Sequence, residues 1–106
     1  MKTRYIEVAG VRARVAATFR ERAKGLIGSP PPPPGEGLLI MRCNAIHTFF
    51  MRYPIDAVFL DRNMRPVKTV RGIRPWRLIV WGGWRARCVL ETAHYCPGDK
   101  MLCHKR

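Results

Sequence analysis

Two carboxylates stand where the chain is otherwise apolar: Asp56 inside Ile55-Asp56-Ala57-Val58-Phe59-Leu60, and Glu91 directly after Val89-Leu90. His47, Thr48 and Met51 lie a few residues before the first of them. In an extended run Asp56 shares a face with Val58 and Leu60. A carboxylate so placed must be hydrogen-bonded, ion-paired or functional, because an unpaired buried polar group costs about 2–7 kcal/mol. Two such carboxylates could carry acid–base chemistry or hold a cation. The structural alternative is that they accept backbone amides or pair with arginines such as Arg22 or Arg52. That alternative is favoured, since ion pairs that merely hold a fold also perturb carboxylates.

His47-Thr48 suggests a base beside a hydroxyl nucleophile, but no glycine-flanked serine or cysteine elbow accompanies them. The roles of nucleophile, base and oxyanion donor are too poorly filled to assign a catalytic residue. His47, Thr48, Met51, Asp56 and Glu91 are therefore candidate ligand-binding residues, and a binding module is expected before an enzyme. A small hydrolase using Asp56, Glu91 and His47 is the enzymatic alternative. Cys88, His94, Cys96, Cys103 and His104 gather near the C-terminal end, and three residues separate Cys43 from His47. None of these forms a Cys-x-x-Cys knuckle, so no metal site and no cofactor is expected. Cys43 and Cys88 sit among apolar residues and read as small core side chains.

The elements that would position these groups follow from periodicity. Ile55 to Leu60 reads as a strand buried on both faces. Arg4 to Val8 and Val11 to Ala16 alternate around Ala9-Gly10, the pattern of a hairpin. Thr18 and Glu21 have capping-box spacing, and Phe19, Ala23, Leu26 and Ile27 form one helical stripe ending at Gly28. Pro30 to Pro34 lack amide donors, so residues 29–36 form a proline-rich surface loop, a stiff spacer rather than a docking ligand. Gly37 to Arg42 and Pro66 to Arg71 read as further strands. Gly82-Gly83 is suited to a primed turn joining Trp76–Trp81 to Trp84–Thr92, with Trp81 facing Trp84. Gly98-Asp99 would turn the chain into a last strand, Lys100 to His104. The sum is a single α+β domain over residues 1–106, mainly an antiparallel, barrel-like sheet of about seven or eight short strands with one short helix.

A length of 106 residues and a hydrophobic fraction of 47% suit one globular domain with a core. No run approaches the roughly 18 apolar residues of a membrane span. Met1-Lys2-Thr3-Arg4 leads straight into an alternating pattern, so no secretion signal is recognised, and a cytoplasmic monomer with reduced thiols is expected. The net charge of +13 is the main anomaly, with fifteen arginines to five lysines. No acidic residue occurs from Arg62 to Leu90. Across that stretch Arg62, Arg65, Lys68, Arg71, Arg74, Arg77, Arg85 and Arg87 make a basic ribbon, interleaved with Trp76, Trp81 and Trp84. Polyanion binding follows from it, seen as weak, sequence-independent association with nucleic acid at low salt. A solvated basic surface over core tryptophans is the plainer reading and is preferred.

The segment His47-Thr48-Phe49-Phe50-Met51-Arg52-Tyr53-Pro54-Ile55-Asp56-Ala57-Val58-Phe59-Leu60-Asp61 resembles the central motif of a small prokaryotic family, domain of unknown function 192. Arg22 to Ile27 upstream, and Val89-Leu90-Glu91 with Gly98-Asp99 downstream, extend the resemblance from roughly Val15 to Leu102. It implies one compact, strand-rich domain without a settled biochemical activity, found in some members behind a secretion signal. Two departures stand out, a short segment Thr92–Pro97 and the five-proline run, so both loops are expected to differ from the family's pattern. The resulting expectation is a single-domain module with a pocket beside the 47–61 motif, for an unidentified ligand or protein partner.

Because consecutive prolines supply no ladder donors, replacing Pro30–Pro34 by a flexible spacer of equal length should leave the melting temperature almost unchanged. Loss of folding in that variant would mean that the run packs against the domain.

Overall fold

The two runs that carry the carboxylates pair with each other at the middle of a six-stranded sheet, where neither face meets solvent. The computed structural model of the chain describes residues 4–95. Strands β1 (Tyr5–Val8) and β2 (Val11–Ala16) form the expected hairpin, followed by α1 (Phe19–Lys24), β3 (Glu36–Ile40) and the short β4 (Ala45–Ile46). Then come β5 (Ile55–Leu60), β6 (Pro66–Ile73), β7 (Val80–Trp81) and β8 (Cys88–Thr92). The large sheet has the order β1-β2-β3-β8-β5-β6, and β4 pairs with β7 in a separate two-stranded sheet.

Every ladder is antiparallel except β2–β3, which is parallel. A parallel pair needs a crossover connection, and α1 with the proline-rich loop supplies it. Alternation sorts the core into two clusters. Leu38, Ile40, Ala57, Phe59 and Val89 pack with Leu26, Ile46, Met51 and Val80 on one side. Leu39, Val58, Leu60, Cys88 and Leu90 pack with Val8, Val11 and Tyr95 on the other. Asp61 organises the β5–β6 turn by accepting the Asn63 and Arg65 amides at 2.8 and 3.0 Å.

Three expectations change. The helix is shorter than its apolar stripe, because Gly25, at φ 54°, ends it and leaves Leu26 and Ile27 in the turns beyond. The capping box itself is present, with Thr18 and Glu21 in reciprocal hydrogen bonds. The hairpin around Gly82-Gly83 does not form: β7 pairs with β4, and β8 pairs with β3 and β5. Trp81 and Trp84 still meet edge to face, with ring centroids 5.1 Å apart, across a loop rather than a ladder. Barrel closure is not formed either, since among the described residues no ladder joins β1 to β6. The expected strand Lys100 to His104, with Cys96, Cys103 and His104, lies outside the described residues. In the proline run Pro30, Pro31, Pro33 and Pro34 are exposed and Pro32 is half-buried.

Gly82 is buried and lies against the face of Phe59, so close that a Cβ there would overlap the ring. Gly82→Ala should destabilise by about 1–3 kcal/mol through overpacking. An unchanged urea midpoint for this variant would show that the 82–87 loop moves away freely.

Candidate functional site

The β5–β8 register aligns Ala57 with Glu91 and Asp56 with Thr92. Cross-strand partners share a face, so Glu91 belongs to the Ala57 side of the sheet and Asp56 to the Val58 side. The two carboxylates therefore do not form a pair, and a joint site of Asp56, Glu91 and His47 is not assembled.

Asp56 is fully buried and held from several directions. Its Oδ1 accepts the Gly72 amide at 2.8 Å and its Oδ2 the Tyr95 amide at 2.7 Å. The Arg71 guanidinium lies 3.7 Å from Oδ2 and donates to the Tyr95 carbonyl at 2.6 Å. The arginine beside it is thus Arg71, not Arg22 or Arg52. Thr48 is equally enclosed. Its hydroxyl donates to the Arg74 carbonyl at 2.6 Å and accepts the Arg77 amide at 2.8 Å, while its backbone exchanges bonds with Arg77 and Trp76. Both residues act as ties between segments distant in sequence.

Glu91, His47 and Met51 face a different place. Together with Arg22, Cys43, Ile40 and Ile46 they line a cleft of about 160 Å³ between the end of α1 and the 43–47 segment. Glu91 is only 4% exposed. Burial pushes its carboxyl up from an ordinary 4.5 to about 7, with the Leu26 amide partly offsetting the effect. Among the described residues no cation pairs with it: the ion pairs there are Arg71–Asp56 and Arg85–Asp61. Gly25 permits this arrangement, since a Cβ on it would stand 3.0 Å from Glu91 Oε1.

Arg22 donates from Nη2 to the Arg42 carbonyl at 2.8 Å, but its buried Nε has no acceptor among the described residues. The Cys43 thiol donates to the Ala45 carbonyl at 3.0 Å, and burial raises its pKa, with the Glu91 charge adding to the effect. Cys43 is thus half-buried, packed against the core and forming a wall of the cleft, whereas Cys88 is buried as expected. His47 is exposed, and its Nδ1 accepts the Phe49 amide at 3.2 Å. No cluster of three or more His, Cys, Asp or Glu suited to a metal occurs among the described residues.

The family model described as DUF192, an uncharacterised ACR, matches residues 3–95. The chain belongs to the DUF192 family. A UPF0127 protein of Pyrococcus horikoshii is 41% identical over 81 residues, spanning 74% of this chain and 69% of that one. A UPF0127 protein of Thermococcus sibiricus is 38% identical over 85 residues, spanning 76% of this chain and 54% of its own length. Among solved structures, a Novosphingobium aromaticivorans protein of unknown function superposes with a TM-score of 0.72 at 20% identity, covering 98% of this chain and 77% of that chain. A Sinorhizobium meliloti protein described as a candidate transcription regulator gives a TM-score of 0.71 at 19% identity, covering 86% and 78%. At such identities the likeness shows the fold alone.

For this DUF192 chain the expected site residues divide into cleft-lining His47, Met51 and Glu91 and tying Thr48 and Asp56. Arg22 and Cys43 complete the cleft and were not among the expected ligand-binding residues. Arg22 lies on a helix where its contact with the 42–43 segment depends on tertiary packing. The basic ribbon is exposed at Arg62, Arg65, Lys68, Arg71, Arg74, Arg77, Arg85 and Arg87. The tryptophans among them are not core residues, for Trp76, Trp81 and Trp84 are all exposed. No helix among the described residues is long and apolar enough to cross a membrane.

Asp56→Ala strips the acceptor from two amides and should cost about 1–3 kcal/mol for each donor left unpaired. Asp56→Asn keeps the shape and one acceptor and should cost less. Urea unfolding of both variants checks the order, and a wild-type midpoint for Asp56→Ala would exclude the tying role.

Proposed function

We propose that this DUF192 protein is a binding module for a small molecule seated in the Glu91 cleft. One observation carries the reading: a nearly buried carboxyl without a cationic partner among the described residues lines an accessible cleft. A purely structural acid at this position would be expected to have a compensating charge, as Asp56 has. The cleft volume is close to that of a cavity holding a benzene-sized molecule, about 150 Å³. It is well below the roughly 300 Å³ at which drug-sized pockets begin, so a dinucleotide or similar large cofactor does not fit this reading.

The lining suggests the ligand's character. Ile40, Ile46 and Met51 would meet an apolar body, while the protonated Glu91 would donate to an oxygen. A small carboxylate or carbonyl compound answers both demands. A cytoplasmic location is part of the same reading, since Cys43 and Cys88 form no disulfide among the described residues, as a reducing compartment would maintain. Titrating ¹⁵N-labelled protein with benzoate and a panel of small carbonyl compounds should shift amides around Gly25, Leu26 and Glu91. Shifts confined to the basic surface, or none with any member, would defeat the proposal.

The raised carboxyl also makes a stability prediction. In the unfolded chain Glu91 loses its proton near its ordinary 4.5, whereas the folded protein keeps it until about 7. Between those values the native state binds more protons, so the contribution is present below 4.5 and is lost as pH rises through 7. Its size is up to about 3 kcal/mol. Glu91→Gln should therefore unfold at higher denaturant than wild type at pH 8, with the advantage shrinking toward pH 5. Parallel pH profiles for the two proteins would contradict a buried, proton-retaining acid.

A further inference from the structure

Opposite in character to the small cleft are six exposed apolar side chains, Trp76, Leu78, Ile79, Trp81 and Trp84 within nine consecutive residues and Phe50 packed on Trp76. Leu78, Ile79 and Trp84 are 70%, 64% and 85% exposed, far more than scattered surface apolar residues need explain. The side chains are organised. Phe50 and Trp76 both hold positive φ, 66° and 70°, and their ring centroids lie 4.8 Å apart. Thr48 maintains that geometry, since its carbonyl accepts the Trp76 and Met51 amides and its hydroxyl accepts the Arg77 amide. Trp81 packs edge to face on Trp84, and Gly82 is wedged on Phe59, which anchors the far end of the loop to the core. Strained backbone at exposed bulky residues is a feature that folding alone does not reward.

The charge around this surface identifies its partner. Arg74 and Arg77 flank Trp76 in sequence, Arg85 and Arg87 follow Trp84, and all four are exposed, with Arg85 reaching Asp61; the sequence has no acid from Arg62 to Leu90. A net charge of +13 repels basic partners and favours anionic ones. Single-stranded nucleic acid would use the rings and the arginines, but Leu78 and Ile79 have no π-face on which a base could stack. Tryptophans and aliphatic side chains projecting between arginines instead match the interfacial layer of an anionic bilayer. Indole rings sit at headgroup depth, apolar side chains enter the acyl boundary, and arginines meet the phosphates.

We propose that the 74–87 loop, together with Phe50, docks the protein on the surface of an anionic phospholipid bilayer. The surface is distinct from the Glu91 cleft and does not depend on what that cleft binds. The full chain is sedimented with vesicles of phosphatidylcholine alone and of phosphatidylcholine with phosphatidylglycerol. Binding is expected only to the second, with tryptophan emission moving to the blue and being quenched by brominated acyl chains. Leu78→Ser/Ile79→Ser should weaken vesicle binding at least tenfold while leaving the melting temperature unchanged, because both side chains are exposed. Trp84→Ser supplies a second variant should the first unfold, and a loss of binding is expected there too. The proposal is overturned by no binding to the anionic vesicles, or by binding that the serine variants leave intact and salt alone abolishes. It is equally overturned if quenching occurs with a single-stranded oligonucleotide and not with vesicles.

Discussion

Burial of β5 and β8 on both faces is the constraint from which the rest of this structure follows. All six residues of Ile55–Leu60 and all five of Cys88–Thr92 are shielded, so any polar side chain among them must find a partner or be set to a purpose. Asp56 finds partners: the amides of Gly72 and Tyr95 and the Arg71 guanidinium converge on it. Through that carboxylate the far end of β6 and the segment after β8 are joined to the central strand. Glu91 has no cationic partner among the described residues, meets the Leu26 amide and keeps its proton to about 7.

The divergence between the two acids comes from the pleat. With Ala57 opposite Glu91 and Asp56 opposite Thr92, adjacent strands send their carboxylates to opposite faces. On one face Asp56 meets chain segments that wrap the sheet; on the other Glu91 meets the end of a six-residue helix whose Gly25 stops short of covering it. A cleft remains where a longer helix would have sealed the acid. The same glycine that ends α1 thus decides the environment of Glu91.

Thr48 plays the corresponding part for the surface. It links the 48–51 segment to the 74–77 loop through side-chain and backbone bonds, holding Phe50 and Trp76 outward in conformations that bulky residues rarely adopt. The exposed aromatic surface and the buried core are therefore mechanically connected, although their chemistry is separate.

Much of this was legible in the residue pattern, where local chemistry decides: the β1–β2 hairpin, the Thr18–Glu21 capping box, β3, the doubly buried β5 and the enclosed carboxylate at Asp56. Membership in the DUF192 family was also visible, in the 47–61 motif. Local pattern failed where partners compete over distance. Gly82-Gly83 has good turn chemistry, yet β7 pairs with β4 and β8 with β3 and β5, because burying Val89 and Leu90 between two apolar strands outweighs a local ladder. The tryptophans looked like core residues by type, but only packing reveals that the interior is already filled by aliphatic side chains and Phe59. By itself the sequence determined that β1, β2, β3, β5 and β6 are strands and that Asp56 and Glu91 are shielded, since periodicity and burial are properties of each segment alone. Which face each acid occupies, which arginine attends it and whether the sheet closes were decided by tertiary structure, because register and strand order arise only when segments distant in the chain are brought together.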